Sequence, residues 1–257
     1  MNKEIITSLD NSMVKEARSL SDKKHRRLLS KFLVDGEKLV NEAVCGACEV
    51  DKIFVDEARL SDFDYILEKF DGKVVVVTSK VFASISENVT PQGIIAEVFM
   101  KPTKQLSFEK TQPILVLDRI QDPGNLGTII RTATATGFNK IILIDSVDPY
   151  SPKVVRSSSG GVFSTQIFKM TESEVVEFCK ENNVQLLVAD MGGINVFKNT
   201  LPEESFALVI GNEGQGVSET FKQKGKAVSL PMKSQMESLN AGISASVLMY
   251  VLMGKNI

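Results

Sequence analysis

Between residues 31 and 100 the chain alternates short β-rich runs, at 31–34, 51–55, 74–77 and 93–100, with helical periodicity at 37–44 and 63–70. This alternation predicts a small α/β domain. The periodicity breaks at residues 101–112, which carry Lys101-Pro102 near their start and end just before Pro113, so this stretch is the predicted linker. Beyond it, residues 114–117, 141–144, 186–189 and 208–210 are apolar without alternation, as expected of strands in a parallel sheet covered on both faces. Helical segments separate them, so βα units follow.

The expected organisation is an N-terminal α/β domain over 1–100, a linker over 101–112 and a C-terminal domain over 113–257. The last helix, 241–254, opens with the small residues Ala241, Gly242, Ser244, Ala245 and Ser246 and continues as Val247-Leu248-Met249-Tyr250-Val251-Leu252-Met253. Small residues permit close approach of another backbone, and the apolar remainder needs cover. That cover is either the protein's own core or a second subunit.

With 257 residues and 43% hydrophobic content, the chain can bury one large core or two modest ones. Its formal net charge of -2 makes it no polycation, so any contact with nucleic acid must come from local clustering. One cluster exists: Lys15, Arg18, Lys23, Lys24, Arg26, Arg27 and Lys31 gather around the single histidine, His25. Taken alone, such a run is a solvated helix face or a patch for RNA.

Residues 1–13 lack a charged segment followed by an apolar run, and no stretch reaches the roughly 18 apolar residues of a membrane span. A soluble, cytoplasmic protein is expected. Cys45 and Cys48 form a C-x-x-C pair, but Cys179 stands alone and His25 is the only histidine, so the chain lacks the second ligand pair that a structural zinc site of about four ligands needs. Three cysteines also give no disulfide framework, which fits a reducing compartment. No metal is expected.

Three motifs carry candidate chemistry. Gly211-Asn212-Glu213-Gly214-Gln215-Gly216 follows the apolar run 208–210, and glycines after a strand let backbone groups approach a ligand that a Cβ would exclude. The loop departs from G-x-G-x-x-G at Glu213, and no G-x-x-x-x-G-K-[ST] occurs in the chain, which disfavours a nicotinamide-dependent oxidoreductase. The second motif is Leu230-Pro231-Met232 followed by Ser234, Glu237, Ser238, Leu239 and Asn240 at the mouth of the last helix, where Ser238 or Asn240 can serve as an N-cap. In the third, Asp122-Pro123-Gly124 opens a strand-to-helix turn that carries Asn125 and Arg131. A helical arginine there forms an ordinary exposed ion pair or offers its planar fork to a phosphate.

In order along the chain, residues 117–133, the segment Val154-Val155-Arg156-Ser157-Ser158-Ser159-Gly160-Gly161-Val162-Phe163, and the motifs at 211–216, 230–232 and 237–240 resemble the SpoU-type RNA ribose methyltransferases of the SPOUT superfamily. Phe32-Leu33-Val34-Asp35-Gly36-Glu37-Lys38-Leu39 and the residues to Ala43 resemble the start of the L30e-like substrate-binding domain found on many of them. The resemblance implies an α/β C-terminal domain with a parallel sheet and a deep trefoil knot, with S-adenosylmethionine as donor.

Carried over residue by residue, the resemblance implies a catalytic set of Asn125, Arg131, Glu213, Ser238 and Asn240, with Gly211, Leu230, Met232 and Leu239 at the donor. Lys23, Lys24, Arg26, Arg27 and Arg156 are the expected RNA contacts. It further implies a homodimer formed through the C-terminal domain and methylation of a ribose 2'-hydroxyl, with ribosomal RNA favoured over transfer RNA as target. A protein that binds RNA without chemistry is the other reading that remains open.

Overall fold

The computed structural model describes residues 4–46, 48–102, 106–107, 112–198, 205–233 and 239–253. It divides into two compact units, one formed by Met1–Pro102 with Tyr150–Phe163, the other by Thr103–Pro149 with Ser164–Ile257. Much of the predicted linker, together with Ser234, Glu237 and Ser238, lies outside the described residues.

In unit 1 the β-branched runs pair into one mixed sheet. The elements are β1 (Ile5–Ile6), α1 (Ser12–Ser19), α2 (Lys23–Leu29), β2 (Lys31–Asp35), α3 (Glu37–Cys45), β3 (Val50–Asp56), α4 (Asp64–Leu67), β4 (Lys73–Val77), α5 (Ser79–Ile85) and β5 (Ile94–Phe99). The strand order is β1-β4-β3-β5-β2, with β2 and β3 antiparallel to β5 and β4 parallel to both its neighbours. Val14, Ala17, Leu33, Phe54, Val75 and Phe82 form its core on one face. The helix expected at 63–70 is shorter. The Asp56 side chain accepts from the Ala58 amide and starts a 3-10 turn over Glu57–Phe63, so that only Asp64–Leu67 remain α-helical.

Unit 1 also takes in α7 (Pro152–Ser157) and most of α8 (Gly161–Ser164). The Phe32 ring of β2 lies 4.9 Å from that of Tyr150 and 6.3 Å from that of Phe163, contacts that add to simple area burial.

The expectation that Arg26 meets RNA is corrected. Arg26 is 3% exposed, and its Nη1 donates to the carbonyls of Leu20 (2.8 Å) and Ser21 (2.6 Å), which need donors after α1 ends. Lys23, Lys24 and Arg27 remain exposed on α2.

A partly buried ion cluster ties α1 to the sheet. Lys31 Nζ reaches Glu16 (2.6 Å), Asp51 (2.7 Å) and Glu97 (3.6 Å), and Lys52 Nζ reaches the same three at 3.0, 2.9 and 2.9 Å. The three carboxylates lie within metal-ligating distance of one another, but two ammonium groups already serve them. Glu97 is fully buried and its Oε1 has no hydrogen-bond partner. Burial pushes its carboxyl up to about 7, against the pull of Lys52 and Lys31. Lys52 is also raised, although burial opposes it, because Asp51, Glu97 and Glu16 hold its proton. The upward direction for Glu97 follows first from its full burial, to which the neighbouring Glu16 carboxylate adds.

Unit 2 is built on βα repeats: β6 (Ile114–Asp118), α6 (Pro123–Thr136), β7 (Lys140–Ile144), β8 (Gln166–Lys169), α9 (Glu172–Glu181), β9 (Gln185–Asn195), β10 (Phe206–Ile210), α10 (Glu219–Lys224), β11 (Lys226–Ser229) and α11 (Ala241–Met253). All six strands are parallel, in the order β11-β9-β10-β6-β7-β8. This is the expected α/β class. Ile114, Val116, Ile142, Val188, Val209 and Phe221 fill the core on one side. On α6, Asp122 caps the N-terminus by accepting from the Asn125 amide, and Pro123 follows at the first helical position. Helix α11 packs on α6, with Thr132 Oγ1 and Ser246 Oγ 2.9 Å apart. Among the described residues, no helix is long and apolar enough to cross a membrane.

The Glu97 cluster predicts a pH dependence. The folded chain binds the Glu97 proton more tightly than the unfolded one, where the group titrates near 4.5, so the stabilisation is complete below that value and lost as pH rises through about 7. The stability advantage of the native protein over Glu97→Gln is therefore expected to be larger near pH 5 than near pH 8.5, by up to about 3 kcal/mol. Urea midpoints measure it. A gap that does not change with pH refutes the assignment.

Candidate active site

Strands β6 and β10 are neighbours, and the loops leaving their carboxyl ends meet, as parallel α/β sheets arrange for ligands. The loop after β10 closes on itself: Asn212 N donates to Gly216 O (3.1 Å), Gly216 N to Asn212 O (2.9 Å), and Asn212 Oδ1 accepts the amides of Gly214 (2.9 Å) and Gln215 (3.0 Å). Gly211 is required here, because a Cβ would run into the backbone of Gly216 and Val217.

The loop is tied to β6. Asn212 Nδ2 donates to Arg119 O (2.9 Å), Arg119 Nη1 to Gln215 Oε1 (3.2 Å), and the buried carboxylate of Asp118 accepts from Arg119 Nε (3.0 Å) and from the Ser218 amide (2.7 Å). Asn212, Asp118 and Arg119 were not among the residues the sequence singled out. The one available signal was Asp118, a charge closing an apolar strand.

Beside this loop is a cleft of about 440 Å³. The 211–216 backbone forms one wall, Ile210, Leu230, Met232, Leu239 and Leu248 supply apolar surface, and Asp190, Lys222 and Ser244 contribute polar atoms. All four donor-binding residues expected from the sequence, Gly211, Leu230, Met232 and Leu239, line it. Glu213 lines it too, and its Oε1 accepts from Asn125 Nδ2 at 2.8 Å. At the first turn of α11, Gly242 sits against Asn125: a Cβ there would come within 3.3 Å of Asn125 Oδ1 and 3.2 Å of Asn240 Oδ1.

Asn125, Glu213 and Asn240 are therefore brought together. Asn240 caps α11, its Oδ1 accepting from the Ile243 amide at 3.2 Å. Arg131 lies on α6 roughly 120° around the helix from Asn125, exposed and without a partner among the described residues. Arg156 belongs to unit 1 and Ser238 lies outside the described residues.

A slot with main-chain donors and acceptors on one wall and aliphatic carbons on the other suits a flat heterocycle with a polar edge. Residues 112–250 match the SpoU rRNA Methylase family. The chain belongs to that family. Residues 11–96 match the MRM3-like substrate binding domain. Among similar SpoU proteins, the 23S rRNA (guanosine(2553)-2'-O)-methyltransferase RlmP of Bacillus subtilis (strain 168) is 34% identical over 253 residues, which are 97% of this chain and 99% of that protein.

Two solved structures share the whole architecture. The AdoMet-bound rRNA methyltransferase from Sinorhizobium meliloti superposes with a TM-score of 0.87 at 27% identity, covering 99% of this chain and 98% of its own. The SpoU methyltransferase AviRb from Streptomyces viridochromogenes, in complex with the cofactor AdoMet, gives 0.86 at 26%, covering 96% and 98%. The donor of SpoU methylases is S-adenosylmethionine, and the cleft fits it: a glycine-lined wall for a purine edge and an aliphatic wall for its face.

Gly211→Ala is expected to weaken S-adenosylmethionine binding at least about tenfold, because the new methyl group pushes the loop backbone off the cleft. Isothermal calorimetry reads it, and affinity within twofold of native would contradict this role of the loop.

Proposed function

We propose that this SpoU methylase transfers the methyl group of S-adenosylmethionine to a ribose 2'-hydroxyl of ribosomal RNA. The observation that carries the reading is the Asn125–Glu213 pair at the glycine-lined cleft. Asn125 occupies Glu213 Oε1, and Oε2 has no hydrogen bond among the described residues, so one carboxylate oxygen is held while the other remains able to accept a proton. The 2'-O–C bond forms as the S–C bond breaks, and the hydroxyl proton passes to Glu213.

When bound, the donor supplies a sulfonium-activated methyl group for in-line displacement. The chain's part is largely alignment, which alone lowers such barriers substantially. Arg131 offers a planar fork of donors and no acceptor, so its role is to clamp the neighbouring phosphate and to stabilise charge developing on the ribose oxygen. Asn240 fixes the start of α11, and Ser238, two positions earlier in the sequence, is the remaining member of the set that the family resemblance implies. The B. subtilis relative is a 23S rRNA methyltransferase, which supports ribosomal RNA as substrate. The exposed Lys23, Lys24 and Arg27 of α2 supply a basic face for its backbone.

We also assign the working form as a cytoplasmic homodimer. Ile243 and Tyr250 are 54% and 53% exposed on α11, and Val247 lies between them at helical spacing, an apolar stripe on an otherwise packed helix. A knotted path is part of the same proposal. Strand β11 sits at one edge of the sheet, yet the next helix, α11, returns to α6 beside the central strands.

Arg131→Ala is expected to lower kcat/KM for RNA methylation at least about 100-fold with S-adenosylmethionine affinity within twofold of native. Transfer at the native rate would remove Arg131 from the site. Tyr250→Asp should convert the dimer to monomer in multi-angle light scattering at micromolar concentration. A native protein that is already monomeric there would overturn the dimer.

A further inference from the structure

A second cavity, of about 430 Å³, is lined entirely by residues of unit 1 and shares none with the catalytic cleft. Its volume falls in the range of about 300–1,000 Å³ typical of small-ligand sites. It is formed by the end of β2, the start of α3, the loop between α5 and β5, and the end of α7.

Two of its side chains are held in an unusual state. Asp35 Oδ1 and Arg156 Nη1 are both shut off from water, and neither has a hydrogen-bond partner. Asp35 Oδ2 accepts from Ser86 Oγ at 2.6 Å, which leaves the acceptor on the other oxygen unused. An unmet buried donor or acceptor costs about 1–3 kcal/mol, so a fold that keeps one of each on two residues shared by this cavity and a smaller void beside Leu33 and Ile85 leaves them a capacity for further bonding. Burial above all raises the Asp35 carboxyl, against Ser86, Asn88 and the Arg156 charge.

The rest of the lining narrows the ligand. Lys38 and Arg156 carry positive charge, which disfavours a metal ion and favours a phosphate. Asp35, Asn88 and Gln92 offer donors and acceptors of the kind that read base edges, and Gln92 is oriented because its Oε1 already accepts the Glu37 amide at 2.9 Å. Val89, fully exposed, and Leu39 give apolar contact for a ring face.

We propose that this cavity captures one unstacked nucleotide of the RNA substrate, with its base edge on Asp35, Asn88 and Gln92 and its phosphate on Arg156 and Lys38. The proposal rests on the RNA-methylation reading and extends it. Unit 1 then selects sequence at a site separate from the reacting ribose, where the basic face of α2 supplies only charge.

The test titrates the four nucleoside 5'-monophosphates, and single-stranded trinucleotides centred on each base, into the full chain with the cleft filled by S-adenosylhomocysteine. One base is expected to bind at least roughly fivefold more tightly than the others, with the trinucleotide above the mononucleotide. Arg156→Gln should weaken all four by a similar factor, and Asn88→Ala should flatten the preference. Thermal melts establish that both variants fold, and Lys38→Ala replaces Arg156→Gln if that variant does not.

Absence of saturable binding, or binding unchanged in the variants, overturns the proposal. Equal affinity for the free nucleotide and the trinucleotide overturns RNA as the source. Methyl transfer to ribosomal RNA, measured on the same preparations, separates the two readings. Native transfer by both variants defeats the cavity proposal alone, whereas a native protein that methylates no RNA defeats the proposed function, and with it an RNA occupant for the cavity.

Discussion

Closure of the 211–216 loop on Asn212 is the constraint from which the site follows. One side chain accepts two loop amides and donates to the backbone of Arg119 just beyond β6, so the loop cannot shift without breaking contacts to itself and to the neighbouring loop at once. Asp118 reinforces this from below, where a buried carboxylate unites Arg119 and the Ser218 amide. Charge-assisted bonds in a dry environment are among the stronger ones available to a protein. The cleft wall is therefore rigid before any ligand arrives, and Glu213 inherits that rigidity at its rim.

Unit 1 treats buried charge in two opposite ways. Around Glu97 the ammonium groups of Lys31 and Lys52 are shared among three carboxylates, and the cluster joins α1 to three strands. Around Asp35 and Arg156, opposite charges sit in one neighbourhood without bonding to each other. An ion-paired cluster helps to specify how a fold assembles, even with Glu97 Oε1 left over, whereas an unpaired Asp35 and Arg156 leave capacity for further bonding.

What could be read from sequence follows from how local the deciding physics is. The apolar runs at 114–117, 141–144 and 208–210 correspond to β6, β7 and β10 with bounds that differ by at most two residues, because strands covered on both faces admit no polar positions to mislead. The helix at 63–70 was misjudged because one side chain, Asp56, changed the turn type upstream of it. Arg26 counted as one more cation in a basic run, and nothing in composition says which way a guanidinium turns. Asn125 and Glu213 are 88 residues apart, so their 2.8 Å contact was beyond any periodicity; only the family resemblance had placed them together.

Phe32 stacks against Tyr150 and Phe163, and this has a bearing on how the gene can be divided. Because Tyr150–Phe163 pack as part of unit 1 while unit 2 flanks them on both sides in sequence, the polypeptide passes between the two bodies three times. Proteolysis within 101–112 would cut only one of those passages and leave two covalent tethers. A fragment starting at 113 would carry a greasy helical arm stripped of the aromatic surface it was built to cover, and a fragment ending at 100 would expose that surface to aggregation.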